Sequence, residues 1–308
     1  SSADSGIYEW HQYEPALNAM IMPILYSYSR KKLRDSLLQD VKDFYSIFPT
    51  QTIYQALAEK KVRSHIYTHQ EFQGSSYNEY LGKGATTNYF HTLAQGTLIL
   101  AENLKQQTEK SYHCMYYDRL DVIAHSNGPS SPKFEYEAAS VLEFLNNVFL
   151  PQLKQAAQGK KVLFLMTSDH GQTEISPERT LYLNKFFPQI IDYIKKDKDG
   201  APLAPAGSCR DLFLSIIDEK LEEAYQLLKT KLSPIAEVFK TTELLNSNIF
   251  GNNPSDKLKN TVGNIVILPH VGESVWWYEK DVFSQEYYGN HGGLTPDEID
   301  IALLALRL

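Results

Sequence analysis

The sequence predicts an α/β fold with a mostly parallel central sheet flanked by helices and a small inserted α+β cap. Two observations support this prediction. Apolar runs typical of buried strands alternate with amphipathic helical stretches along most of the chain. A loop rich in Lys, Asp, Pro and Gly, residues 195–208, then precedes a compact unit with the organisation of an insertion. We therefore predict a main core at 1–175, a cap at 176–262 and the remainder of the core at 263–308.

The first hundred residues contain two helical patterns. Residues 29–48 carry apolar side chains at helical spacing, broken by charged positions, and predict one helix. Residues 93–109 show a second amphipathic pattern. Between them, the stretch HIYTHQ is strand-like and has no third metal-binding side chain nearby, so we predict that His65 and His69 are surface residues.

A strand, a helix and a second strand follow. Residues 111–117, SYHCMYY, predict a buried strand, and residues 135–158 predict a long helix that is kinked at Pro151. The apolar run 161–167, KVLFLMT, predicts the next strand. Strand, helix and strand in this order form the crossover unit of a parallel sheet.

The second half of the chain continues the alternation. We predict a strand at 210–217, a helix at 218–232 and a mixed segment at 236–245, all within the cap. Buried strand patterns return at 263–269 and at the closing run 299–308. These last two segments complete the predicted core.

Composition and charge limit the class of protein. A hydrophobic share of 43% with 22% charged residues in 308 residues is sufficient for a large globular core. The formal net charge of −7 argues against binding to a nucleic acid duplex or an anionic membrane surface. No apolar run approaches the roughly 20 residues that span a bilayer. Two cysteines, Cys114 and Cys209, do not suggest a disulfide scaffold.

Three short stretches place Asp or His where a predicted strand ends. Asp121 and His125 are four residues apart after the strand SYHCMYY, and Asp169 and His170 follow the strand KVLFLMT. His291 precedes two glycines in the stretch YYGNHGGLTP. Because ligands bind at the carboxyl ends of strands in an open parallel sheet, we expect these side chains to converge on one crevice.

The five side chains are typical ligands of divalent metal ions. Asp121, His125 and His291 form a ligand set suited to zinc with an open fourth position, and Asp169 and His170 provide two ligands for a second ion. Two ions about 4 Å apart would clamp a transferring phosphoryl group. We therefore predict two divalent ions, zinc in preference to manganese. Taken alone, Ser-Asp-His-Gly also fits a simple turn with Gly at a positive φ.

The order of these motifs resembles a known family. The sequence contains DVIAH at 121–125, SDHG at 168–171 and HGG at 291–293, and it also contains GIYEWHQYEP near the start, GSCRDLFL and NIVILPH. In this order they resemble the alkaline phosphatase superfamily, and within it the type I phosphodiesterase and nucleotide pyrophosphatase branch. The resemblance covers nearly the whole sequence and implies an alkaline phosphatase-like fold.

One part of the family pattern has no counterpart in the sequence. The family has a metal-binding Asp and then a Thr or Ser nucleophile upstream of the segment that GIYEW resembles, and only SSADS precedes it here. We expect an amino-terminal part of the protein to carry both. Thr86 and Thr87 follow GIYEW, in the wrong order for a nucleophile of this family, so the catalytic nucleophile is assigned to no residue.

The resemblance implies a metal-dependent hydrolase of phosphodiester, pyrophosphate or phosphomonoester bonds. It implies a small phosphorylated substrate, such as a nucleotide, and leaves phosphonates open. The alternative is a degenerate family member that binds a ligand or partner without turnover. Phosphonoacetate hydrolases, cofactor-independent phosphoglycerate mutases and sulfatases use related folds, but neither Cys114 nor Cys209 lies in the formylglycine motif of a sulfatase.

Overall fold

The computed structural model describes residues 2–31 and 33–308. The chain divides into two compact units. Unit 1 comprises Ser1–Phe48 and His170–Asp300, and unit 2 comprises Pro49–Asp169 and Ile301–Leu308. Within the described ranges, every helix is too short or too polar to cross a membrane.

The secondary structure alternates along the chain. The helices are α1 (Ser2–Ser5), α2 (Ile53–Glu59), α3 (Ser76–Leu81), α4 (Leu93–Gln106), α5 (Arg119–Asn127), α6 (Pro132–Phe144), α7 (Leu150–Ala156), α8 (Leu183–Phe186), α9 (Leu221–Leu232), α10 (Thr241–Asn246), α11 (Asp256–Thr261) and α12 (Pro296–Ile299). The strands are β1 (Gln12–Glu14), β2 (Ala19–Met22), β3 (Ser27–Tyr28), β4 (Arg63–His69), β5 (Ala85–Phe90), β6 (Ser111–Met115), β7 (Leu163–Thr167), β8 (Thr173–Glu174), β9 (Leu181–Tyr182), β10 (Ala206–Gly207), β11 (Leu212–Leu214), β12 (Ala236–Lys240), β13 (Ile265–Pro269), β14 (Val275–Trp276), β15 (Gly289–Asn290) and β16 (Leu303–Arg307).

Unit 1 is built on a four-stranded antiparallel sheet in the order β10, β11, β13, β12. Helix α9 packs on this sheet through Ala224, Leu228 and Leu232, which are spaced four residues apart and are almost fully buried. Strand β13 pairs with both β11 and β12, although it lies beyond residue 262, where we placed the end of the cap. The division into core and cap stays a prediction.

The predicted helix at 29–48 is wrong. The structure has two short 3-10 helices there, Ser36–Gln39 and Phe44–Ser46. Asp35 adopts a left-handed conformation with φ 63°, which an α-helix cannot contain, and the Asp43 side chain accepts a hydrogen bond from the Tyr45 N–H at the start of the second segment. Tertiary packing of this segment therefore prevails over its helical spacing.

Unit 2 contains a three-stranded parallel sheet with strand order β5, β4, β6. Strand β4 pairs in parallel with both neighbours, and helix α4 follows β5 and packs against both β5 and β4. Strands β7 and β16 form a separate antiparallel pair. The predicted α/β class with parallel strands is confirmed.

The long helix predicted at 135–158 is interrupted as expected. Helix α6 passes into one π-helical turn, Leu145–Phe149, before α7 begins. Pro151 lies in the first turn of α7. Because proline has no N–H to donate to the preceding turn, the wider π turn accommodates it.

Strand β7 is less buried than its continuous apolar sequence predicts. Phe164 packs with Phe149 and Leu153 on one face. On the other face, Leu163 and Leu165 remain 65% and 54% exposed. The strand is therefore covered on one face only among the described residues, although its sequence is typical of a strand buried on both faces.

A stacked pair of histidines, with His65 buried and His113 half-buried, lies in the parallel sheet of unit 2. His65 on β4 is directly opposite His113 on β6, with ring centroids 4.9 Å apart and nearly parallel planes. Tyr67 Oη lies 2.9 Å from His113 Nδ1, and Gln107 Nε2 lies 2.9 Å from His65 Nε2. The prediction that His65 is a surface residue is wrong, because its side chain is only 8% exposed.

The lowered pKa values of this histidine pair predict that acid lowers the stability of unit 2. Burial, followed by the positive charge of His65, lowers the pKa of His113 to about 4, and burial also lowers the pKa of His65. A lowered folded-state pKa means that the unfolded chain binds protons first, so stability falls as the pH drops from 6.5 towards 4. The full shift of His113 corresponds to about 3 kcal/mol, and solvent near the partly exposed ring reduces this to about 2 kcal/mol.

Urea unfolding at pH 7 and pH 4.5 tests this expectation. His113→Gln should lose about 2 kcal/mol less stability over this pH range than the wild-type protein. The exposed His91 provides the control His91→Gln, which should behave like wild type. Equal losses in wild type and His113→Gln would contradict the assignment.

Candidate metal and phosphate site

The turn that carries His170 packs closely against helix α12 in unit 1. The Gly171 N–H donates to the Glu298 carbonyl oxygen at 2.8 Å. A Cβ atom at Gly171 would overlap the Asp297 carbonyl oxygen, so glycine is required for close backbone approach. Gly171 is not among the glycines with positive φ, which differs from the simple-turn interpretation of the sequence.

The turn that carries His291 also depends on glycine. Gly292 has φ 115°, and a Cβ atom there would lie 2.8 Å from both Asp211 Oδ1 and Ser208 Oγ. At Gly293, a Cβ atom would lie 2.6 Å from Glu298 Oε2. The two glycines after His291 therefore allow two carboxylates to approach the backbone.

The imidazole rings of His170 and His291 stack face to face. Their centroids are 3.5 Å apart and their planes differ by 14°. His170 Nδ1 lies 2.9 Å from the Gly171 carbonyl oxygen, and because a carbonyl can only accept, Nδ1 carries the proton. Nε2 is then the ring nitrogen left to coordinate a metal ion.

A pair of acidic side chains lies in the same unit. Asp211 accepts hydrogen bonds from Ser208 N at 2.9 Å and Ser208 Oγ at 2.7 Å. Burial, followed by the charge of Glu9, raises the pKa of Asp211 well above its ordinary value. Burial also raises the pKa of Glu9 to about 7, although the Trp10 N–H and His170 oppose this shift. Burial therefore disfavours the charged form of both carboxyl groups.

The sequence contains a weaker signal for Glu9 and Asp211 than for the metal ligands. Glu9 lies in GIYEW and Asp211 lies in GSCRD, two stretches that already resembled the family. Neither stretch contains the adjacent Asp-His or spaced Asp-x-x-x-His pattern that identifies metal ligands. Their proximity to His170 and to the Gly292 turn arises from the tertiary fold of unit 1.

Arg210 forms a buried ion pair with Glu298. Both side chains are essentially inaccessible, and Arg210 Nη2 lies 2.9 Å from Glu298 Oε2. Asp211, the next residue in the sequence, bonds to Ser208. Glu298 also forms a capping box with Thr295 at the start of α12.

Cys209 lies beside this site but is not suited to nucleophilic attack. Its sulfur accepts hydrogen bonds from the amides of Asn290 and Gln285. Burial raises the pKa of the Cys209 thiol far above its ordinary value. The thiolate is therefore disfavoured.

Unit 2 holds the other three predicted ligands. Asp121 and His125 are one turn apart on α5, with Asp121 Oδ1 3.4 Å from His125 Nε2. Asp169 follows strand β7. Burial, then the charges of Asp169, Asp118 and Asp121, raises the pKa of Tyr116 to about 12. The negative charges of three Asp side chains therefore act on one hydroxyl, and a divalent cation would offset such charge.

Each unit thus assembles part of the predicted ligand set. His170 and His291 are in contact in unit 1, and Asp121 lies beside His125 in unit 2, with Asp169 near the Tyr116 hydroxyl. Carboxylate oxygens and imidazole nitrogens are the donors that zinc and manganese accept. The five residues as a complete ligand set remain a prediction.

Most of the chain matches the sequence profile of one protein family. The sequence profile of the Type I phosphodiesterase / nucleotide pyrophosphatase family matches residues 4–294. The chain belongs to this family. The family profile confirms the resemblance inferred from DVIAH, SDHG and HGG, and these phosphodiesterases and pyrophosphatases are generally dependent on divalent metal ions.

Two relatives within this phosphodiesterase family share little sequence identity with the chain. Mouse ectonucleotide pyrophosphatase/phosphodiesterase family member 3 is 28% identical over 101 residues, which is 32% of the chain and only 11% of the length of that protein. Murine ectonucleotide pyrophosphatase/phosphodiesterase 5, solved as an inactive variant with AMP, has a TM-score of 0.69 at 17% identity. This similarity covers 99% of the chain and 72% of the murine protein chain.

A second solved relative carries a different ligand. Phosphonoacetate hydrolase from Sinorhizobium meliloti, in complex with phosphonoacetate, has a TM-score of 0.62 at 15% identity. The similarity covers 99% of the phosphodiesterase family chain and 75% of the hydrolase. Because the identities are only 17% and 15%, these two structural similarities establish only the fold, which is alkaline phosphatase-like.

Proposed function

We propose that this chain is part of a two-metal hydrolase of phosphodiester, pyrophosphate or phosphomonoester bonds. Asp121, His125 and His291 would bind one divalent ion, and Asp169 and His170 would bind the second. Zinc is the preferred ion and manganese the alternative, since both accept mixed imidazole and carboxylate ligands. The proposal rests on family membership and on the order of the three motifs.

The stacked pair of His170 and His291 is the observation that carries this proposal. Two imidazoles 3.5 Å apart are held on two turns that only glycine permits. The contact of His170 Nδ1 to the Gly171 carbonyl oxygen leaves Nε2 as the ring nitrogen that could coordinate a metal ion. The arrangement is therefore well suited to metal binding.

The side chains would divide the chemistry as follows. When bound, the two ions would supply positive charge to the equatorial oxygens of the phosphoryl group and favour in-line attack. Asp121 and Asp169 would contribute negative charge to their sites, and the imidazoles would contribute neutral ligands. Burial disfavours the charged forms of Glu9 and Asp211, so these two carboxyl groups would limit the negative charge close to an anionic substrate. The nucleophile is assigned to none of the 308 residues.

We infer that the substrate is a small phosphorylated compound, with a nucleotide as the first candidate. Two relatives with this fold bind such ligands, AMP in one and phosphonoacetate in the other. The net charge of −7 disfavours a nucleic acid duplex as substrate. Phosphodiesters, phosphomonoesters and phosphonates therefore form the panel to be tested.

Elemental analysis of the desalted natural protein tests the metal part of the proposal. We expect two zinc or manganese ions per chain and hydrolysis of bis(4-nitrophenyl) phosphate, 4-nitrophenyl phosphate or 4-nitrophenyl thymidine 5′-monophosphate. Chelation should abolish hydrolysis, and zinc should restore it. Bound metal and tight AMP binding without any turnover would instead favour the non-catalytic alternative. A protein without metal that cannot be loaded with zinc or manganese would contradict the proposal.

A further inference from the structure

The five N–H donors of Arg210 are all used inside unit 1. Nε and Nη2 bind the two carboxylate oxygens of Glu298, each at 2.9 Å. Nη2 also donates to the Pro269 carbonyl oxygen at 3.1 Å, and Nη1 donates to the carbonyl oxygens of His270 and Glu273. The guanidinium is therefore fixed in one orientation, and it fixes the carboxylate of Glu298 in turn.

Glu298 connects the two turns that carry the stacked histidines. Its Oε1 accepts from the Gly293 N–H at 3.0 Å, two residues after His291. Its backbone carbonyl accepts from the Gly171 N–H at 2.8 Å, one residue after His170. Thr295 Oγ1 and the Thr295 N–H both donate to Oε2, at 2.6 and 3.4 Å. One residue thus holds both turns, through its side chain on one and its backbone on the other.

We propose that the buried Arg210–Glu298 pair is a positioning element that sets the distance and orientation between the His170 and His291 rings. A buried ion pair contributes little net stability compared with an apolar pair of similar volume, so stability alone does not explain it. Its bidentate geometry and contacts to both turns do match a positioning role. The inference rests on the proposed function insofar as the two rings are expected to bind metal.

Glu298→Asp is the principal test. The variant keeps the charge but withdraws the carboxylate by one methylene, so it cannot hold Arg210, Gly293 and Thr295 in their present positions. We expect zinc affinity, measured by chelator competition, to fall about 10- to 100-fold. For diester hydrolysis, kcat should fall more than KM changes, because the misplaced rings affect charge stabilisation in the transition state.

A milder variant and a matched control separate positioning from folding. Thr295→Val removes one hydrogen bond to Glu298 Oε2 and should lower zinc affinity several-fold in a protein with near-wild-type unfolding midpoint. Glu222→Asp alters an exposed Glu paired with Lys240 in the same unit and should change neither property. A lower unfolding midpoint with unchanged zinc affinity in both Glu298→Asp and Thr295→Val would overturn the proposal.

A metal-independent measurement distinguishes this inference from the proposed function. In the zinc-free protein, the stacked rings should give upfield-shifted imidazole proton resonances, assigned with His170→Gln and His291→Gln. These shifts should diminish in Glu298→Asp and Thr295→Val and persist in Glu222→Asp. Failure of wild type to bind zinc would overturn the metal proposal alone, and unaltered ring shifts in the two test variants would overturn the positioning role.

Discussion

Replacing His170 by Ala in the natural protein is expected to reduce phosphoryl hydrolysis by roughly 10³-fold or more. The substitution removes an imidazole that stacks on His291 and is a proposed ligand of the second ion. Because one ligand is lost, elemental analysis should find less than the full two ions per chain. The measurements are kcat/KM with a diester substrate and metal content after desalting.

The same protein offers a matched histidine control. His91 is exposed, and His91→Ala should leave metal content and hydrolysis unchanged. Both variants should retain the wild-type circular dichroism spectrum, since His170 lies in a turn outside the main cores. Hydrolysis by His170→Ala at the wild-type rate would remove His170 from the proposed site.

Arg210→Met is expected to lower the free energy of unfolding by about 3–5 kcal/mol. The cost arises because Glu298 remains buried with a charge that no longer has its bidentate partner. Three backbone carbonyls, at Pro269, His270 and Glu273, also lose their donor. Urea unfolding monitored by tryptophan fluorescence measures this effect, because Trp276 and Trp277 lie in the core of unit 1.

Arg179→Met is the corresponding surface control. Arg179 is 65% exposed and pairs with Glu273 in the same unit. Loss of such an exposed ion pair should cost at most about 1 kcal/mol. A similar stability for Arg210→Met and Arg179→Met would mean that the buried pair is not required for the fold of unit 1.

Local patterns in the sequence predicted the fold class and several elements well. Helix α9 and strand β13 follow directly from apolar spacing at 221–232 and from a short apolar run bounded by turn residues. The break near Pro151 follows from the missing N–H of proline. The helix predicted at 29–48 does not form, because the left-handed conformation of Asp35 and contacts such as the stacking of Tyr26 on Phe44 outweigh a weak helical propensity.

The sequence by itself determined the family and the candidate metal ligands. Pairs such as Asp121 with His125 and Asp169 with His170 are close in the chain, so backbone geometry alone suggests that each pair shares a site. The tertiary structure alone revealed three other pairs: Arg210 with Glu298, Glu9 with Asp211, and His65 with His113. Arg210 and Glu298 are 88 residues apart, and no local periodicity encodes contact over such a separation. Such contacts depend on the path of the whole chain, which also determines the burial that shifts the pKa values of Glu9 and His113.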